Sequence, residues 1–204
     1  MLPQLTEFKA LATEKELAGS SHALMVLPVA TKLARDANIP FIDVLLATLK
    51  RKRKRADAAD LIKDPVTTET ARGGLLSWIM LDPARTRFEQ HTILRKGVMA
   101  LLGEHPMELA IAVFGDAQQR ALAAETAAYV ALVNGVPLPT RRKADKTPKL
   151  ARILVHGHVS ADGYAGVKAV VEGGALTRAL TMMPPNELTP GAYRRHLRGL
   201  ARDN

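Results

Sequence analysis

The stretch GGLLSWIML, residues 73–81, pairs two glycines with a run that is apolar at every position but Ser77, the pattern of a strand covered on both faces. Working outward from it, the chain alternates. Upstream, HALMVLPVA (22–30) is a second strand, and residues 40–55 form a helix with Phe41, Val44, Leu45, Leu46 and Leu49 on its apolar side. Downstream come a helix over residues 85–102 ended by Gly103 and a strand, ELAIAVF (108–114), followed by Gly115. An alanine-rich helix over 117–134 is closed by Gly135 and Pro137; LARILVH (150–156) is a further strand, and residues 163–183 are mostly helical. Short buried strands alternating with helices give an α/β fold of three layers, a mixed, mostly parallel sheet flanked by helices. Residues 61–71 have no clear period and contain Pro65, so they read as a loop or an edge hairpin. Residues 137–149, PLPTRRKADKTPK, are proline-rich, basic and unpatterned, an exposed loop.

At the far end, EGGALTRALTMMPPNELTPGAYRRHLRGLARDN (172–204) describes a joint. Ala175, Leu176, Ala179, Leu180 and Met183 recur at helical spacing until Pro184 and Pro185 remove two backbone donors and stop the helix. Thr189 then offers a hydroxyl cap with Pro190 at the first helical position, and Tyr193, Leu197, Leu200 and Ala201 line one face of a new helix. Neither a glycine stop nor a proline closes that helix, so the chain is expected to be a piece of a longer one.

The connector carries a resemblance. Arg178-Ala-Leu, then Pro184-Pro185-Asn186-Glu-Leu-Thr189-Pro190, then Tyr193 resembles the segment joining the two domains of the leucyl aminopeptidase (cytosol aminopeptidase) family. The match covers about residues 172–203; upstream only the order of strands and helices is similar. The resemblance implies that residues 1–171 are a macro-domain-like α/β amino-terminal domain and that 172–204 are an interdomain helix–connector–helix leading to a catalytic domain absent from the chain. It further implies a parent that removes amino-terminal residues from peptides, holds two divalent ions (manganese or zinc) in the absent domain, and assembles as hexamers. The implied tasks of this piece are assembly and access to the active site, and the piece alone is expected to be inactive. Met182-Met183 stands where many members read Asn-Thr, a departure that touches substrate preference. The family's metal-binding lysine, aspartates and glutamate and its Asn-Thr-Asp-Ala-Glu-Gly-Arg signature do not occur in this sequence, so no catalytic, cofactor or metal residue is carried over.

Composition bounds the alternatives. The 204 residues are 47% apolar and 24% charged, enough for one sizeable core, and the absence of cysteine excludes disulfides, thiolate metal sites and cysteine nucleophiles. No run approaches the roughly 18 apolar residues of a membrane span and the amino terminus lacks a secretory apolar core, so a cytoplasmic address without membrane contact is expected. The charge of +9 falls to +3 without its one block of six cations, Lys50, Arg51, Lys52, Arg53, Lys54 and Arg55. That block ends an amphipathic helix, where cations suit the dipole, yet six like charges would also be relieved by a polyanion. With Arg141, Arg142 and Lys143, and with Lys146 and Lys149 in the same loop, it makes a DNA- or other nucleic-acid-binding module the reading from a different class. Contacts would be to phosphates, because aromatics are 4% of the chain.

Three weaker constellations remain. His156-Gly-His158 with Asp162 is an ordinary hydrogen-bonded or surface pair before it is a metal site, since neither HExxH nor a cysteine pair supports it. Gly157, Gly163 and Gly166 lie between a strand and a helix, where a macro-like nucleotide or ADP-ribose binder would bind, but their spacing fits turns and a helix start better. Ser77, Ser160, Ser20 and Ser21 stand in no nucleophile elbow, and Trp78 within its apolar run is a core residue.

Overall fold

The computed structural model describes residues 2–30, 33, 38–53, 59–137, 147–184 and 186–203. Six strands, β1 (Gln4–Phe8), β2 (His22–Pro28), β3 (Val66–Glu69), β4 (Leu75–Leu81), β5 (Glu108–Val113) and β6 (Arg152–His156), form one sheet in the order β1-β6-β5-β2-β4-β3. Every neighbouring pair is parallel except β3 with β4, so residues 61–71 resolve as an edge hairpin arm beyond Pro65. The helices are α1 (Glu14–Gly19), α2 (Ile42–Arg53), α3 (Arg87–Leu102), α4 (Ala117–Gly135), α5 (Ala165–Thr181) and α6 (Pro190–Asp203), with a short 3₁₀ turn at Ala59–Ile62.

Strands β2, β4 and β5 are almost continuously apolar because both faces are covered. Leu24 and Val26 of β2, Ile79 and Leu81 of β4, Leu109, Ile111 and Val113 of β5, and Ile153 and Val155 of β6 pack with α3, α4 and Val171 of α5. The alternate positions, Ala23, Met25 and Leu27, Leu76, Trp78 and Met80, Ala110 and Ala112, pack with Leu17 of α1, Leu45 and Leu49 of α2, and Leu61. Trp78 is fully buried and its indole N–H donates to Thr68 Oγ1 at 2.7 Å, tying the edge strand to the core. Helix α3 lies close to the sheet because Gly97 has no side chain: a Cβ there would stand 3.0 Å from Leu24 and 3.1 Å from Ile79.

Helix starts are set by local chemistry. Thr13 with Glu16, Thr86 with Glu89 and Asp116 with Gln119 form reciprocal capping boxes at α1, α3 and α4. Two elements start later than expected: α3 begins at Arg87, after its Thr86 cap, and α2 begins at Ile42, after Phe41 turns the chain at φ 60. Strand β2 ends at Pro28 rather than residue 30, and β6 begins at Arg152 rather than 150. Strand β1 and helix α1 occupy a stretch whose sequence shows no clear period; β1 is an edge strand with no fully buried residue.

The connections β4–α3–β5 and β5–α4–β6 run leftward with their helices on one face, whereas the chain from β2 runs rightward through α2 on the other face to the edge strand β3 and back to β4. The winding reverses between β5 and β2, the topological switch point of the sheet. No described helix is long and apolar enough to cross a membrane.

Candidate functional site

The joint is built from α5, the connector and α6. Helix α5 starts without a side-chain cap from Tyr164, which sits in the left-handed region at φ 59. The cap is Asp162 instead: its carboxylate accepts from the amides of Tyr164 (2.9 Å) and Gly166 (3.1 Å) and from the Ser160 hydroxyl (2.6 Å). Those donors, the Ser160 hydroxyl first, hold the Asp162 carboxyl below its usual range. Only Val171 of α5 is fully buried, and Arg178 fastens the far end by donating to the Val133 carbonyl at the last turn of α4 (3.1 Å). The helix is unbroken across residues 171 and 172, where the amino-terminal domain was expected to give way to the linker.

Helix α5 ends as the prolines require. Met182 and Met183 donate back to Arg178 and Leu180, and the Pro184 carbonyl accepts from Glu187 (2.9 Å) and Leu188 (3.0 Å), a single turn that redirects the chain. The Thr189 hydroxyl then accepts from the Ala192 amide (3.3 Å) and Pro190 opens α6, the cap and first position read from the sequence. Asn186 lies exposed in this turn, and Pro185 lies outside the described residues. An open cavity of 710 Å³ separates connector and helix, lined by Met183, Asn186, Thr189, Arg195, His196 and Leu200.

Helix α6 buries nothing completely. Tyr193 is 42% and Leu197 45% exposed, and Arg194, Arg195, Arg198 and Arg202 surround them with positive charge. An isolated helix of this length is marginal in water, and its stability normally comes from packing an apolar face. Of the apolar strip of α6, Tyr193 and Leu197 are exposed and Leu200 is half-buried.

The basic block divides. Lys50, Arg51 and Lys52 are exposed on the last turn of α2, and Arg53 is that helix's final residue. Lys54, Arg55, Arg141, Arg142, Lys143 and Lys146 lie outside the described residues; Lys149 is exposed.

At the carboxyl ends of the strands, His156 is buried and stacks on Phe8 with ring centroids 4.6 Å apart and planes 12° off parallel. Burial pushes its pKa below the ordinary value, and the charges of Glu16 and Glu108 offset part of that. Gly157, at φ +101, turns the chain out of β6 before His158 bridges back to Phe8. Among the described residues no three His, Asp or Glu side chains gather to hold a metal ion. The glycines serve geometry: Gly157 and Gly163 have positive φ, and the Gly166 amide donates to Asp162. The amino terminus of α5 is therefore occupied by the chain's own carboxylate, which disfavours a phosphate there.

Two features escaped the sequence reading. Arg120 clasps the ends of β5 and β6 by donating to the carbonyls of Gly115 (2.7 Å) and Gly157 (2.9 Å). A cleft of 470 Å³ lies where the chain leaves β1 and enters α2, lined by residues 11–14 and 38–44. The one signal for it was Thr13-x-x-Glu16, a helix start that sets one wall.

No family model matches the chain, and no curated protein matches it in sequence. Solved structures do. A point mutant of tomato leucine aminopeptidase superposes with a TM-score of 0.68 at 15% identity, covering all of this chain and 43% of that one. The bottromycin maturation enzyme BotP, in complex with manganese, superposes with a TM-score of 0.62 at 18% identity, covering 90% of this chain and 37% of that one. A second BotP structure gives 0.59 at 19% identity over the same shares. The chain thus spans well under half the length of the proteins it resembles. At these identities the likeness establishes architecture: the fold is that of the amino-terminal domain of leucine aminopeptidases.

Proposed function

We propose that this chain is the non-catalytic amino-terminal domain, with the interdomain joint, of a metal-dependent leucyl aminopeptidase that removes amino-terminal residues from peptides. The observation that carries the reading is α6. It is a helix with an exposed Tyr193–Leu197 strip, set off from the sheet by the Pro184–Pro190 turn, the geometry of a joint between domains. The likeness in fold to tomato leucine aminopeptidase, over all of this chain and 43% of that one, supports the reading.

In such an enzyme two divalent ions, manganese or zinc, supply an activated water for attack on the peptide bond. The contribution proposed for this chain is mechanical. Asp162 and Arg178 fix α5 at its two ends, the prolines set the angle at which the next domain leaves, and the sheet provides a rigid body for hexamer assembly and for limiting access to the active site. The test is hydrolysis of leucyl-p-nitroanilide with manganese by the 204-residue chain. The expected rate is that of buffer, and chelator-sensitive turnover would refute the assignment of catalysis elsewhere.

A second reading rests on the exposed row Lys50, Arg51 and Lys52. Three adjacent cations at a helix end can contact phosphates of DNA or RNA without reading sequence. Electrophoretic shifts across a salt series test it: neutralising the three should flatten the salt slope by about three contacts' worth. An unchanged slope removes the patch as the contact.

A further inference from the structure

The outermost strand β1 pairs with β6 alone among the described strands and has no fully buried residue. Its carboxyl end is fastened by a short set of contacts. The Phe8 carbonyl accepts from the Gly157 amide (2.9 Å), the Phe8 ring lies on the buried His156 ring, and Phe8 bridges to His158. One residue earlier, the Glu7 carboxylate accepts from the Ser160 amide at 2.6 Å, across 153 positions of sequence. Ser160 leads into the joint. Its hydroxyl donates to Asp162, and the same carboxylate holds the amides of Tyr164 and Gly166 at the start of α5. The contacts from His156 to Phe8, and from Glu7 through Ser160 to Asp162, thus join the edge strand to the root of α5.

The two ends of this network differ in what mild acid does to them. Asp162 is held below its usual range by its donors, so it stays ionised. His156 is the group that responds. Burial, the largest influence on it, disfavours the charged imidazole, and the acidic groups that act on it, Glu16 of α1 and Glu108 of β5, offset only part of that. Glu16 is already engaged, its carboxylate accepting from the Thr13 amide and hydroxyl at the start of α1. The cation that faces this turn is Arg120 of α4, through the Gly157 carbonyl. The Phe8 ring attracts an imidazolium as well, yet the net direction is set by burial. A proton therefore binds more readily once β1 has lifted and water reaches the ring.

We propose that β1 is an acid-released strap on the start of α5: a proton on His156 drives Phe8 off the ring, Glu7 withdraws from Ser160, and the loop carrying the Asp162 cap loosens. The device joins elements that this chain itself contains, and it stands whether or not the aminopeptidase reading does.

The test is hydrogen exchange of the 204-residue chain at about pH 7.5 and about pH 5.5, either side of the ordinary histidine range, each rate divided by that of an unfolded peptide at the same pH. Protection of β1 and of the Tyr164 and Gly166 amides should fall together below pH 6.5, by up to about tenfold per pH unit, the limit set by one proton. Both should exchange well ahead of α4. His156→Phe, which keeps a ring on Phe8, should remove the pH dependence from both segments. Glu7→Ala should leave it in β1 and remove it from Tyr164 and Gly166. Four outcomes overturn the proposal: β1 protection that does not change over this range in the parent chain, a result that needs no variant; the same dependence in a folded His156→Phe chain; acid opening of β1 in the parent chain while Tyr164 and Gly166 stay protected; or an undiminished response of those two amides in Glu7→Ala.

Discussion

At the scale of single residues, the strand-end turn is the most sharply determined part of the molecule. Gly157 has φ +101, and a Cβ there would sit 2.6 Å from the Val113 carbonyl oxygen, so neither backbone nor space admits a side chain. Gly157→Ala should cost about 2–3 kcal/mol of stability, read by chemical denaturation. Beside it, His156 makes stability depend on pH. Its folded pKa lies below the ordinary 6.5, so the unfolded chain binds the proton more readily. Stability from this group is complete above pH 6.5 and declines as pH falls from there toward the folded value. His156→Phe keeps a ring against Phe8 and should remove that component of the pH profile; an unchanged profile would assign it elsewhere. The sequence placed His156 at the end of a strand, yet its stacking on Phe8 was invisible. The partner comes from β1, an edge strand whose five residues show no burial period. Phe41 is the same lesson in another form: its left-handed backbone forms the cleft, and nothing about a phenylalanine announces that conformation.

At the scale of elements, the sequence revealed what period and punctuation encode. Residues 75–81 and 108–113 appear as strands because both faces are buried, which makes every position but Ser77 and the terminal Glu108 apolar rather than every second one. The joint was legible because prolines act through the backbone: Pro184 and Pro190 stop and start helices whatever surrounds them. Contributions to stability follow burial along this segment. Val171→Ala, the one fully buried side chain of α5, should destabilise by about 1–2 kcal/mol. Tyr193→Ser with Leu197→Ser on α6 should stay within about 0.5 kcal/mol of the parent chain, since both are exposed. Hydrogen exchange gives the same ordering from the native state: α4, with eight buried residues, should be protected near the global limit, and α6 scarcely protected. Strong protection of α6 in this chain would mean that its apolar strip is already covered.

At the scale of the whole molecule, a complete three-layer α/β core carries an appended helix that the core does not cover. In the core, the central strands β6, β5, β2 and β4 lie between two apolar layers, and capping boxes start α1, α3 and α4. The appended helix leaves Tyr193 and Leu197 exposed, and the proteins that share the fold are more than twice as long. The fold class was readable from alternation alone. The site was only partly so, because a joint is written in proline and threonine whereas a cleft is written in backbone angles and in which loops meet.

The most direct test compares two products of one reading frame: the 204-residue chain and the same chain continued to the length of its structural relatives, each assayed on leucyl-p-nitroanilide with manganese and with zinc. The account predicts metal-dependent turnover from the longer protein and none from the shorter. Chelator-sensitive turnover by the shorter chain, or a longer protein inert with both metals, would contradict it.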